Sequence, residues 1–86
     1  MTTYQQNYQP GPVFHDAFLA GIKAKGLKSQ DFAKKNKLHL SVLRHCSTGF
    51  LNGPKGQLVR DKMIKEIGVE LFDTLYKARL AAEDAA

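Results

Sequence analysis

Glycine, proline and asparagine punctuate this chain so closely that the pieces between them fit short helices and little else. The breaks are Pro10-Gly11-Pro12, Gly26, Asn36-Lys37, Gly49, Gly53-Pro54 with Gly56, and Gly68. Between them, apolar residues recur at helical spacing, and no segment alternates convincingly as a strand would. Val13–Lys25 carries Phe14, Phe18, Leu19 and Ile22, with Gly26 as its stop. Ser29–Asn36 reads as a short helix with Phe32 and Ala33 inward, and Ser29 is a better N-cap than Lys28. After a tight turn at Asn36-Lys37-Leu38, a second short helix is expected over Leu40–Ser47, ended by Thr48-Gly49. Phe50–Gly56 reads as a loop. Gln57–Ile67 is expected to be helical, with Val59, Met63 and Ile67 in a stripe and Gly68 as its end. Leu71–Ala82, with Leu71, Phe72, Leu75, Tyr76 and Leu80, is the final helix. No internal repeat is present. The expected fold is all-α, with four or five short helices.

With 86 residues the chain has room for one domain and one modest core. Residues 1–12, rich in Gln, Asn, Thr and Tyr, are expected to form a flexible arm, and 13–86 the folded domain. An apolar fraction of 43% suits a globule. No apolar run approaches the length of a membrane span, and the N-terminus lacks the basic start and apolar segment of a secretory signal. Cys46 is the single cysteine, so no intrachain disulfide forms, and no ligand cluster suggests zinc or another metal. The simplest compartment is a reducing cytoplasm.

The charge of +5 is unevenly placed. From Lys23 to Lys65, eleven Lys and Arg stand against Asp31 and Asp61, a net +9, whereas Glu66–Ala86 carries −3. A basic block between neutral and acidic ends is either the footprint of a polyanion-binding surface or a set of solvated helix faces.

The two short helices around Asn36–Leu38 have the organisation of a helix-turn-helix. Ala33 is small where the helices cross, Leu38 plugs the turn, and Leu43 and Cys46 fall on the inward face of the second helix. Leu40, Ser41, Arg44, His45 and Thr48 are left facing outward or sideways, with His39 at the helix entry. Such a turn commonly needs a left-handed residue, for which glycine is suited. Here either Lys37 adopts that conformation, at about 1 kcal/mol, or Asn36 does and the register of the reading helix moves by one residue.

Arg44 is the best candidate for base contact, because its fork matches guanine O6 and N7; the alternatives are a phosphate contact or a solvated side chain. Ser41 either contacts DNA or caps the helix. His45 and Cys46, being adjacent, point about 100° apart and have no orienting third group, so they do not read as a catalytic pair; Cys46 reads as a small core residue. Lys55-Gly56 precedes a helix N-terminus, where free N–H groups favour a phosphate. Lys34, Lys35 and Lys37 form either a phosphate-contacting cluster or a solvated face.

The run Ile22–Gly49, with Lys25-Gly26, Asp31-Phe32-Ala33 and Asn36-Lys37-Leu38, resembles the small lambda-repressor-like DNA-binding proteins of Mu-like phages, the BcepMu-type family. The likeness continues through Pro54-Lys55-Gly56 into Met63–Gly68 and covers Ile22–Val69, but neither the arm nor the last helix. It implies a compact helical lambda-repressor-like domain, a phage, prophage or mobile-element setting and control of transcription, and it brings no cofactor and no catalytic residue.

The leading expectation is therefore sequence-specific binding of double-stranded DNA by a nucleoid-associated, non-enzymatic regulator. A homodimer would place two reading helices on paired half-sites, and the apolar last helix, 70–82, is the expected dimer surface; the alternative is that it folds wholly onto Val13–Ile22. Two other functions remain open. One is a protein-interaction module of antiactivator type that grips a partner through the last helix or through Leu40 and Val42. The other is an excisionase-like architectural role on phage DNA.

Overall fold

Phe14, Ala17, Phe18 and Ile22 fall on one side of the first helix, and all four are buried. Around that stripe the computed structural model, which describes residues 8–85, arranges five α-helices: α1 Pro12–Ala24, α2 Ser29–Lys35, α3 Leu40–Thr48, α4 Pro54–Ile67 and α5 Val69–Ala85. No strand occurs among the described residues. Helix α5 packs mainly along α1, and α3 packs against both α4 and α1. Phe72 of α5 meets Phe14 with ring centroids 4.9 Å apart, and Phe32 of α2 sets its ring edge on Phe18 at 5.3 Å. Helix α4 closes the core with Val59, Met63, Ile64 and Ile67. It approaches α1 closely at Gly21, where an added Cβ would stand 2.7 Å from the Ile67 side chain.

Two helix ends share one solution. Leaving α1, Gly26 N–H donates to Lys23 O (3.0 Å) and Leu27 N–H to Ile22 O (2.9 Å), with Gly26 at φ 70. Leaving α2, Lys37 N–H donates to Lys34 O (3.1 Å) and Leu38 N–H to Ala33 O (2.8 Å), with Lys37 at φ 56. Both are Schellman motifs. Of the two conformations the turn allows, Lys37 takes the left-handed one, and α3 begins at Leu40. Lys37→Gly is expected to stabilise the fold by about 0.5–1 kcal/mol. Relief of about 1–2 kcal/mol of left-handed strain exceeds the added unfolded-chain entropy of about 0.4–1 kcal/mol. A urea midpoint at or below that of the parent would contradict this.

Several expectations need correction. The part of the arm before Tyr8 lies outside the described residues; of the rest, Tyr8 is buried, Pro10 and Gly11 are half-buried and Gln9 is exposed. The Tyr8 ring is edge-on to Phe72 (5.1 Å) and Tyr76 (5.0 Å). Its hydroxyl donates to Asp73 Oδ1 at 2.7 Å, while Gln9 N–H donates to Tyr76 Oη at 3.0 Å. Burial and the Asp73 carboxylate push the Tyr8 hydroxyl's pKa up to about 12. An aromatic ring gains from burial whatever the polarity of its neighbours in sequence. Ser29 is the first residue of α2 rather than its cap; that place falls to Lys28, with no side-chain cap bond. Helix α4 starts at Pro54, so Lys55 and Gly56 lie inside its first turn. On α5, Phe72 and Tyr76 are in the core and Leu71 and Leu75 pack against it, leaving Val69 and Leu80 each 40% exposed. Most of the apolar surface expected to drive dimerisation thus faces α1 and Tyr8.

Candidate nucleic-acid interface

Helix α3 is sharply two-sided. Leu43, Cys46 and Ser47 are buried, Val42 and Thr48 are half-buried, and Leu40, Ser41, Arg44 and His45 are exposed. The N-cap of α3 is His39, which makes no side-chain cap bond, so Ser41 does not cap the helix. Thr48 is turned back: its hydroxyl donates to Arg44 O at 2.8 Å. His45 and Cys46 face different ways, the first against an exposed ring and the second into the core. Burial raises the pKa of the Cys46 thiol, and the Arg60 and Lys55 charges partly oppose that.

The terminal carbonyls of a helix lack intrahelical partners, and those of α3 find donors both within the helix and outside it. Leu51 N–H donates to His45 O at 3.0 Å, and Gly11 N–H donates to Ser47 O at 3.0 Å. Cys46 O accepts from Gly49 N–H at 3.4 Å and from Arg60 Nη1 at 2.7 Å. Ser47 Oγ donates to Arg44 O at 3.0 Å. With its proton placed there, that hydroxyl accepts from His15 Nδ1 at 2.6 Å.

The His15 contact ties α1 to the end of α3, and the burial of this histidine makes stability sensitive to pH. Burial lowers the pKa of His15, the Arg44 charge lowers it further, and Asp16 partly opposes both. The unfolded chain therefore binds the proton more readily than the folded one, so stability falls as pH drops below about 6.5 towards the folded value. Urea midpoints measured from pH 7.5 down to pH 5 should decline, and His15→Asn should flatten that decline. An unchanged slope in the variant would contradict this account.

Arg60 and Phe50 are two residues that sequence reasoning missed. Arg60 is only 1% exposed. Besides Cys46 O it reaches Leu51 O (3.4 Å) and Asn52 Oδ1 (2.7 Å), so one guanidinium joins α4, the end of α3 and the loop between them. Burial lowers its pKa. The available signal was its place on the inward stripe of α4, with Gly56, Met63, Ile64 and Ile67. Phe50, in the loop, is 77% exposed and lies against His45 with centroids 4.8 Å apart.

The expected lysine cluster is divided. Lys34 lines a groove between α2 and the start of α3, with Gln30, His39 and Leu40. Lys35 faces a second groove, beside Lys62 and Lys65 of α4, and pairs with Glu66 at 2.8 Å. Lys37 and Lys55 are exposed. Gly56 is buried beneath the Leu51 carbonyl, so its place is in the packing rather than at the surface. No acidic residue occurs between Asp31 and Asp61, a stretch that includes all of α3 and the loop after it.

Among the described residues, no three His, Cys, Asp or Glu side chains gather as metal ligands would. Among the same residues, no helix is long and apolar enough to cross a membrane. In comparisons with known proteins, no family model, curated protein or solved structure matches this chain.

Proposed function

We propose that this chain binds duplex DNA through the exposed face of α3 and regulates transcription, with α2 and α3 as a helix-turn-helix. The observation that carries the reading is the outward set Ser41, Arg44 and His45, on a short helix within a stretch free of carboxylates. In this reading Arg44 forks to a guanine edge and Ser41 contacts a base or phosphate beside it. Lys34, Lys37 and Lys55 contact phosphates and fix the register. Lys35, held by Glu66, contributes less. A phage or mobile-element setting, as the sequence resemblance implies, belongs to the same proposal. So does a homodimer on paired half-sites, although α5 gives it little apolar surface. The mass of the complex on duplex DNA decides between one chain and two.

The test uses a duplex selected from a randomised pool. Arg44→Ala should weaken the selected duplex about tenfold and relax discrimination at one base pair. Lys55→Ala should weaken selected and random duplexes alike. Identical behaviour of the two variants across sequences would overturn the assignment of α3 as the reading helix. A chain that selects no duplex but forms a stable complex with a protein would instead be an interaction module.

A further inference from the structure

Phe50 is 77% exposed, yet the residues on either side of it are hydrogen-bonded to the end of α3. Gly49 N–H donates to Cys46 O at 3.4 Å, and Leu51 N–H donates to His45 O at 3.0 Å. The Leu51 carbonyl accepts from Arg60 Nη1 at 3.4 Å and rests on Gly56. The ring itself leans on His45, with planes 36° apart. A loose loop would fold such a ring away, since its exposure costs about 25 cal/mol per Å2. This one is braced outward, at the end of the reading helix. The stretch of chain that carries it is cationic: no carboxylate occurs between Asp31 and Asp61 in the sequence, and the Lys55 charge reaches Cys46, four residues before Phe50. A surface that joins an apolar tip to positive charge fits a partner that offers an apolar group among phosphates. The thymine C5-methyl in the major groove is such a group.

We propose that Phe50 is a specificity residue, whose ring, braced by His45, packs on a thymine methyl in the major groove. The proposal rests on the DNA-binding reading of α3.

The experiment replaces each thymine of the pool-selected duplex by deoxyuridine, which removes only the methyl. It measures affinity for the parent chain, Phe50→Ala and Phe50→Leu. The parent should lose about fourfold at one thymine, as expected for one buried methyl-sized group. Phe50→Ala should bind the thymine duplex about tenfold more weakly and show no further loss on deoxyuridine there. Phe50→Leu should retain part of the sensitivity. Equal urea midpoints would show that all three chains are folded alike.

Sensitivity that persists in Phe50→Ala would overturn the contact. So would a Phe50-dependent kink seen with position-permuted duplexes, because the ring would then be inserted between bases. Phe50→Ala with unchanged duplex affinity but lost self-association would assign the ring to a contact between chains. In these cases the DNA-binding reading survives. A parent chain that selects no duplex would overturn both.

Discussion

Arg60→Met is expected to cost about 3 kcal/mol of stability, seen as a large fall in the urea midpoint. Methionine keeps much of the side-chain volume, so the loss comes mainly from polar groups rather than from a cavity. Hydrogen bonds to a charged donor contribute about 1.5–3 kcal/mol each, and Arg60 makes short ones to Cys46 O and Asn52 Oδ1, both at 2.7 Å. Burying a guanidinium carries an opposing desolvation cost of several kcal/mol. That cost is recovered when a whole buried polar set is exchanged for apolar groups. Here the acceptors include the Cys46 and Leu51 carbonyls, which no side-chain substitution removes. Cys46 is fully buried, so its carbonyl would keep only the 3.4 Å bond from Gly49. Stability of a small domain is about 5–15 kcal/mol, so the loss is a large share of the total. Hydrogen exchange at the Leu51 amide should accelerate with it. A variant as stable as the parent would show that the loop and the end of α3 do not depend on the guanidinium.

Gly56→Ala should destabilise the fold by about 2–3 kcal/mol, although it puts alanine into a helix. Helix propensity alone favours the change by about 1 kcal/mol. Against this, the new Cβ would overlap the Leu51 carbonyl oxygen and stand 2.9 Å from its carbon. The obstacle is backbone, which Arg60 also contacts, so it cannot rotate away as a side chain could. Relief requires the loop to move, with loss of the Arg60 bonds, and overpacking against a fixed group costs about 1–3 kcal/mol or more. Gly53→Ala is the control: nothing stands within 4 Å of its added Cβ, and its φ of −83 is open to any residue. Near-equal effects of the two substitutions on the urea midpoint would contradict the packing described for Gly56.

Local signals in the sequence carried much of the fold. Phe14, Phe18 and Ile22 mark the buried side of α1, and Leu43 and Cys46 give the inward face of α3. Gly26 stops α1, and Lys37 is one of two residues that the turn could place in the left-handed region. The start of α4 was harder to read because Gly53, Pro54 and Gly56 look like loop residues. Proline is suited to the first turn of a helix, and Gly56 answers to a carbonyl five residues earlier. Tyr8 was illegible because its partners Phe72, Asp73 and Tyr76 lie at the other end of the chain. Arg60 counted only as charge in the sequence, since backbone carbonyls among its acceptors carry no residue label.

The candidate site was partly legible in the same way. Helical spacing placed Leu40, Ser41, Arg44, His45 and Thr48 outward or sideways on α3; the first four are exposed, and Thr48 is half-buried with its hydroxyl turned back to Arg44 O. Spacing alone did not separate Lys34 from Lys35, whose grooves lie on different sides of α2, because Glu66 is distant in sequence. Nor did it single out Phe50, which belongs to no helical period.

The central claim is that α3 and the basic block around it engage duplex DNA, and the most direct test is the salt dependence of that binding. For the parent chain on its selected duplex, log affinity should fall linearly with log salt, with a slope near −0.9 for each phosphate neutralised. Contacts from Lys34, Lys37 and Lys55 predict a slope of about −3 per chain, and Lys55→Ala should make it shallower by about one such unit. A flat dependence from low to moderate salt, or no binding to any duplex, would contradict the account.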